Sequence, residues 1–231
     1  MLLTLRQQPY EAVRSGGAKR EYSVWFWMGA AFAISLCLAI AVLALRGVNV
    51  ESLRLALRLT ARWSFVPFWL AYTGSAIAGL FGRTFAPLAK RGREFGLAYA
   101  AALLVHLSLV LGLFILTSRP PLAGSGLIFF LIGAFFTYLL AMFSFGGLVK
   151  ALGSKGWYGL RIVGVNYILY AFARDFLPGA IDASAHYGLG HLLSYVPFAA
   201  MTVVAPILVI AAAARRRLER WRQVRLAPVI N

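Results

Sequence analysis

Residues 90–117, "KRGREFGLAYAAALLVHLSLVLGLFILT", decide the fold of this chain, because a short basic cluster is followed by a long apolar run. An α-helix rises about 1.5 Å per residue, so crossing a hydrocarbon layer of about 30 Å takes ~20 residues. The run at 95–117 is long enough for this. We therefore predict that it crosses a membrane as a helix, with one histidine, His106, near its middle.

The rest of the chain has the same character. Hydrophobic residues make up 61% of its 231 positions and charged residues 13%, a composition far from that of soluble domains. Apolar runs long enough to cross a membrane occur at 23–45, 63–82, 95–117, 127–149, 159–178 and 192–214. We predict an all-α integral membrane protein, a bundle of six transmembrane helices over 23–214. A polar N-terminal tail at 1–22 and a basic C-terminal tail at 215–231 would flank it.

The positive charge is distributed unevenly between the predicted loops. The formal net charge is +16. If the N-terminus is cytoplasmic, the six basic residues on the outer side are Arg46, Arg54, Arg58, Arg62, Arg119 and Arg174. The other seventeen of the 23 lysines and arginines lie on the inner side, so the positive-inside rule predicts that both termini are cytoplasmic. The basic ends predict contact with anionic headgroups, whereas short loops leave too little surface for nucleic acid.

The stretch "GVNVESLRLALRLTARWSF" at 47–65 carries arginines at every fourth position: Arg54, Arg58 and Arg62. This spacing places them on one face of a helix. The pattern is typical of an amphipathic helix at the outer interface, or of a helical extension of the second crossing. The small residues of "TGSAIAG" at 73–79 predict that another helix approaches closely there. Cys37 is the only cysteine, so the chain contains no disulfide framework and no thiol pair for a metal.

His106 is the candidate functional residue of the third crossing. An ionisable side chain inside a membrane is costly unless it faces a partner, a cavity or a metal. Neutral imidazole is a good haem ligand, and haem held between helices is a common electron carrier in helical bundles. The alternative is a buried histidine that only forms a hydrogen bond with a neighbouring Ser, Thr or Asn.

Several residues around His106 carry a resemblance to a known family: Arg91, Arg93, Gly96, Leu97, Ala98, Tyr99, Ala100, Leu104 and His106. They resemble the third-helix signature of ferric-reductase-like transmembrane domains, which include the haem-binding membrane subunits of bacterial methionine sulfoxide reductase systems. "RWSFVPFWLAYTG" at 62–74 and "LGSKGWYGLRI" at 152–162 resemble other parts of that family. The likeness covers roughly residues 55 to 178. It implies haem b on His106 and a place in the bacterial inner membrane, within a redox complex.

The chain departs from the family in its fifth helix. The family carries two histidines there, and the resemblance aligns them with Arg161 and Arg174. Arginine has no free lone pair for iron, so neither position can ligate haem. The two other histidines, His186 and His191, lie in the predicted outer loop and at the start of the sixth crossing. We therefore predict either no haem or a single haem on His106.

The fifth crossing has other polar residues in place of those histidines, namely Asn166, Tyr167, Arg174 and Asp175. If the third and fifth helices are neighbours, as the family fold would place them, Asn166 is a candidate hydrogen-bond partner for His106. Arg174 and Asp175 are expected to meet partners on other helices, because adjacent helical residues point about 100° apart. Pro178 is expected to end this helix, since it cannot continue the hydrogen-bond ladder.

These observations leave three functions open. The first is a haem-free scaffold or accessory subunit of a membrane redox complex, which the two arginines favour. The second is a single-haem electron-transfer subunit using His106. The third is a transporter that uses Arg174 and Asp175, for which the sequence offers neither an inverted repeat nor a broken helix.

Overall fold

The computed structural model describes residues 8–119, 124–145, 148–186 and 189–226. Within these ranges, side chains are described except at 8–21, 148–151, 182–186, 189–193, 224 and 226. The helices are α1 (Gln8–Arg46), α2 (Val50–Phe81), α3 (Ala86–Lys90), α4 (Gly92–Thr117), α5 (Ser125–Ser144), α6 (Leu148–His186) and α7 (Leu189–Leu226), with a 3₁₀ turn at Arg83–Phe85. The predicted all-α class is confirmed for this part of the chain, which contains no strand.

Five helical segments are long and apolar enough to span a membrane: Tyr22–Arg46, Val50–Phe81, Gly92–Thr117, Ser125–Ser144 and Ser194–Gln223. The predicted crossing at 159–178 lies in α6, where a charged pair, Arg174 and Asp175, interrupts the apolar run. Six crossings and cytoplasmic termini therefore stay predictions. The backbone at 8–22, which we expected in a tail, belongs to α1.

The boundaries of α2 follow from local chemistry. Asn49 adopts an extended conformation and its side chain accepts a hydrogen bond from the Ser52 N–H at 2.9 Å, which satisfies one of the free donors of the first turn. At the other end Gly82 has φ 93°, a conformation that glycine adopts without the penalty of a Cβ. Between these residues α2 is one helix of 32 residues.

The prolines do not end the helices that contain them. Our expectation that Pro178 ends its helix is wrong, because α6 continues to His186. Proline at this position removes only the hydrogen bond to the carbonyl four residues earlier, so a helix that packs on its neighbours can continue past it. The break in α6 lies instead at Gly153, where φ is 67°. Pro197 and Pro206 lie inside the continuous α7.

Five helices form a closed ring, in which α4, α5, α6, α7 and α2 each pack against the next and α2 packs against α4. Helix α1 lies outside this ring, against α2 and α4. The ring is filled midway along α2 by an aromatic cluster whose buried or half-buried members are Phe65, Phe68, Tyr99, Phe172, Phe176 and Phe198. Helices α4 and α6 are not direct neighbours, although Tyr99 and Phe172 meet across the cluster at 5.9 Å between ring centroids.

Small residues bring α1 and α4 together. Ala31, Ser35 and Ala39 recur every four residues on α1, and Ala98 and Ala102 do the same on α4. All five are buried, and the Ser35 hydroxyl donates to the Ala102 carbonyl at 3.2 Å. Such stripes let helix backbones approach closely in a membrane.

Another helix approaches the stretch "TGSAIAG" closely, as the small residues predicted. Gly74 lies against the backbone of Leu88 in the short helix α3, where an added Cβ would be 3.0 Å from the Leu88 carbonyl oxygen. Gly79 faces the side chain of Arg216 in α7. The small residues of α2 therefore make room for α3 and for an arginine of α7.

Candidate functional site

A cavity of about 510 Å³ lies inside the helix ring, beyond the aromatic cluster and toward the end that holds the α1–α2 turn. This volume is within the range of small-molecule pockets. Its apolar wall consists of Leu57, Ala61, Leu103, Leu107, Val110, Leu113, Leu127, Phe130, Leu131, Gly133, Ala134, Ile168, Ala171 and Phe172. Its polar lining consists of Arg54, Arg58, Ser64, Tyr99, His106, Asp175 and Tyr195. The cavity is therefore an apolar space with a few polar groups.

Helix α2 provides the charged face of this cavity. Its lining residues, Arg54, Leu57, Arg58, Ala61 and Ser64, recur at the spacing of one face of an α-helix. Of the two structures that the arginine pattern allowed, the molecule has the helical extension, because these residues belong to the same continuous helix as the second predicted crossing. Arg54 and Arg58 are exposed, so they lie where the cavity opens to the outside of the bundle.

His106 lines the cavity from α4 and is held by α2. Its Nδ1 lies 3.0 Å from the hydroxyl oxygen of Thr60, which is fully buried. The hydroxyl also lies 2.9 Å from the Ala56 carbonyl and 3.2 Å from the Leu57 carbonyl, and it can donate to either. In the tautomer with the ring hydrogen on Nδ1, His106 donates to the Thr60 oxygen, and Nε2 keeps its lone pair for a ligand.

Arg62 and Asp175 lie on the side of the cavity formed by α6 and α7. The Arg62 guanidinium donates to the Ser194 hydroxyl at 3.5 Å and stacks over the Tyr195 ring at 4.5 Å. Asp175 forms no salt bridge with Arg62 or with another residue that the structure describes. The Nε of Arg62 is buried with no hydrogen-bond partner among the described residues. This arginine therefore stabilises the contact of α2 with α7.

Asn166 and Tyr167 do not meet His106. The side-chain oxygen Oδ1 of Asn166 accepts a hydrogen bond from the Tyr72 hydroxyl at 2.8 Å. The Tyr167 hydroxyl donates to the backbone carbonyl of Phe129 at 3.0 Å. The expectation that Asn166 pairs with His106 is wrong, because α4 and α6 are separated in the ring and α2 supplies the partner.

The structure separates the two arginines and the carboxylate of the fifth predicted crossing. Arg161 is exposed, and the exposed Arg174 stacks over the Phe129 ring at 4.6 Å. Asp175 is also exposed but borders the cavity, so the two adjacent side chains point to different surroundings, as expected on a helix. The side chains of His186 and His191 lie outside the described part of the chain.

The residue that our sequence reasoning missed is Thr60. A signal was present, because a threonine inside an apolar helix is a common partner for a buried histidine of a neighbouring helix. The sequence alone did not show that α2 and α4 are neighbours at the level of Thr60 and His106. Within the described residues no three His, Cys, Asp or Glu side chains cluster as metal ligands.

Replacing Thr60 with valine is expected to lower the free energy of unfolding by about 1–3 kcal/mol, because Nδ1 of His106 loses its hydrogen-bond partner while the shape of the side chain at position 60 stays the same. The measurement is unfolding of the purified protein by titration with a denaturing detergent. Thr73→Val is the matched control, since buried Thr73 bonds only to the Trp69 carbonyl of its own helix. Equal effects of the two substitutions would contradict the role assigned to Thr60.

Comparisons with known proteins identify no relative of this chain. No protein-family model matches it, and neither the curated proteins nor the solved structures include a match.

Proposed function

We propose that this chain is an accessory subunit of a membrane redox complex, and that its helix ring binds an apolar ligand in the cavity beside His106. Helices long and apolar enough to span a membrane make up most of the chain. The observation that carries the ligand-binding part is the cavity itself, a space between the helices that is bounded mainly by leucine, valine, alanine and phenylalanine side chains. The accessory role rests on the resemblance to ferric-reductase-like domains.

The polar lining supports binding of a ligand with one defined orientation. Apolar pockets with a few convergent polar groups are typical of ligand sites, because the apolar wall supplies contact area and the polar groups fix direction. The contact with Thr60 places His106 at the level of Thr60 along α2. Arg54 is six residues before Thr60 and therefore about 9 Å away along the helix axis, so His106 lies deeper in the cavity than Arg54. A ligand can therefore present an apolar part inward and a polar part to the arginines.

Filling the cavity tests this proposal. Ala134→Phe places a ring in the cavity and is expected to abolish labelling of the cavity wall by a palmitic acid that carries a photoreactive diazirine. Ile132→Phe is the matched control, because Ile132 is 39% exposed on the outside of the same helix. Labelled peptides would be mapped by mass spectrometry. Labelling that does not reach the cavity wall, or that persists in Ala134→Phe, would refute the proposal.

A single haem is the second candidate, and the contact between Thr60 and His106 favours it. A ligating histidine usually donates its other ring N–H to an acceptor, which fixes the ring. Thr60 would be that acceptor, His106 Nε2 would be the iron ligand, and Arg54 and Arg58 would meet the haem carboxylates. Haem bound there would supply one-electron transfer.

An absorption spectrum decides the haem candidate. If the haem candidate is correct, the protein purified from cells supplied with a haem precursor shows a reducible Soret band that is lost in His106→Ala and kept in the control Thr73→Val. A colourless, folded preparation would rule out haem and leave the apolar-ligand proposal standing.

A further inference from the structure

We infer that the ligand of this cavity is an anionic membrane lipid, with its headgroup on Arg54 and Arg58 and an acyl chain inserted between α4 and α5. This inference rests on the proposed function of the cavity and adds the class of ligand. It is carried by unneutralised positive charge at one end of the cavity, and by an apolar gap between two neighbouring helices.

Arg54 and Arg58 have no carboxylate partner in the described part of the chain. The salt bridge found there, Arg215 with Glu219, is near the other end of the bundle. Arg58 Nε donates to the Arg54 carbonyl at 3.4 Å, which leaves both terminal nitrogens of Arg58 free for another acceptor. Two guanidinium groups one helical turn apart therefore face the cavity and can each donate to a phosphate or carboxylate oxygen.

The carboxylate that lines the cavity does not cancel this charge. Asp175 forms no salt bridge with Arg54 or Arg58. A third arginine of α2, Arg62, is held by Ser194 and Tyr195 of α7, so one carboxylate faces three guanidinium groups of this helix. The mouth of the cavity therefore carries an excess of positive charge. A neutral apolar ligand would leave Arg54 and Arg58 unpaired, whereas an anionic headgroup would pair with both.

The gap between α4 and α5 provides a path for a hydrocarbon chain. These helices are joined by the contact of the Tyr99 and Thr137 hydroxyls at 3.2 Å and by a hydrogen bond from Tyr138 to the Ala100 carbonyl at 3.4 Å. Beyond these contacts the cavity separates them, and its wall there consists of Leu107, Val110, Leu127, Phe130, Leu131 and Ala134.

The apolar wall of this gap continues to the outside of the bundle. Leu131 lines the cavity and is 54% exposed, so its side chain belongs to both surfaces. On α4, Leu111 is 58% exposed next to the lining residue Val110. An acyl chain can therefore enter from the surrounding lipid without passing a polar barrier. The lining of α2 from Arg54 to Ser64 runs about 15 Å along the helix axis, which gives the chain room below the headgroup.

The test uses the full chain in phosphatidylcholine nanodiscs that contain a trace of one photoreactive lipid. The probe is phosphatidylglycerol or phosphatidylcholine, each with the same diazirine-bearing acyl chain, and the readout is labelling of the α4 and α5 peptides that line the cavity. We expect phosphatidylglycerol to label these peptides about tenfold more than phosphatidylcholine, the ratio that corresponds to about 1.4 kcal/mol.

Variants assign that preference to the two arginines. The double substitution Arg54→Gln with Arg58→Gln is expected to remove it, and Arg54→Lys with Arg58→Lys to keep most of it, because the charge remains. Arg174→Gln is the matched control, since Arg174 is exposed on α6 and does not line the cavity. A preference that survives the double glutamine variant would overturn the inference.

Two further outcomes separate this inference from the proposed function. Equal labelling of the cavity by both lipids would refute the anionic class and leave the apolar-ligand proposal intact. Labelling confined to the outer, lipid-facing residues, with none in the cavity wall, would refute both.

Discussion

Replacing Phe65 with alanine is expected to cause the largest loss of stability, about 3–5 kcal/mol of unfolding free energy, as for other large aromatic truncations in a core. Phe65 is fully buried in α2. Its ring centroid lies 4.8 Å from that of Phe172, 5.2 Å from that of Phe176 and 6.3 Å from that of Phe198. Because these rings belong to α6 and α7, the cavity left by the truncation would loosen the contacts that close the helix ring.

The measurement is equilibrium unfolding by a denaturing detergent, followed by circular dichroism. Phe114→Ala is the control, because Phe114 is 45% exposed on α4 and its loss removes no core contact. Lipid tails are as apolar as phenylalanine. We therefore expect the loss of the packed Phe65 ring to lower the free energy of unfolding and the loss of the exposed Phe114 ring to leave it nearly unchanged. Similar losses for both variants would contradict the central role of the aromatic cluster.

Replacing Ala102 with leucine is expected to detach α1 from α4 locally, with a cost of about 1–3 kcal/mol for overpacking. Ala102 is fully buried against α1, and its carbonyl accepts the Ser35 hydroxyl hydrogen bond. A leucine side chain has no room there unless the helices move apart, and their separation would also break that bond. Because α1 lies outside the ring, we expect the cavity beside His106 to keep its shape.

The measurement is unfolding by a denaturing detergent, which reports the stability of the Ala102→Leu protein. Ser108→Leu is the control, since Ser108 is exposed on the same helix and its hydroxyl bonds only within α4. An Ala102→Leu protein as stable as the control would show that the small-residue stripe does not hold the two helices.

The sequence predicted which segments are helical better than it predicted where the helices begin and end. Apolar runs identify segments that cannot remain in water, and the helix class follows because a membrane-spanning backbone must satisfy its own hydrogen bonds. The start of α2 at Val50 was ambiguous, because arginines at every fourth position fit both a separate amphipathic helix at the interface and a helical extension of the second crossing. Pro178 was misjudged because its effect depends on the packing of the helix around it.

The sequence identified His106 as the central residue of the candidate site, but it did not identify the residues around His106. His106 stood out because an ionisable group is rare in an apolar run. The contact of His106 with Thr60 depends on the position of α2 next to α4. Asn166 was expected to be its partner because we expected α4 and α6 to be neighbours, which they are not in the ring. The order of helices around a ring is set by many weak side-chain contacts spread over the whole chain, so no single motif reveals it.

The length of α2 has a consequence for bilayer thickness. Its 32 residues extend about 48 Å, well beyond a hydrocarbon layer of about 30 Å. If the aromatic cluster around Phe68 marks the midplane, Arg58 is ten residues away and lies about 15 Å from it, at the boundary of that layer. In a thicker bilayer the guanidinium groups of Arg54 and Arg58 would lie in hydrocarbon, and in a thinner bilayer they would lie in water. The thickness of the host membrane therefore sets the dielectric environment of these two arginines at the mouth of the cavity.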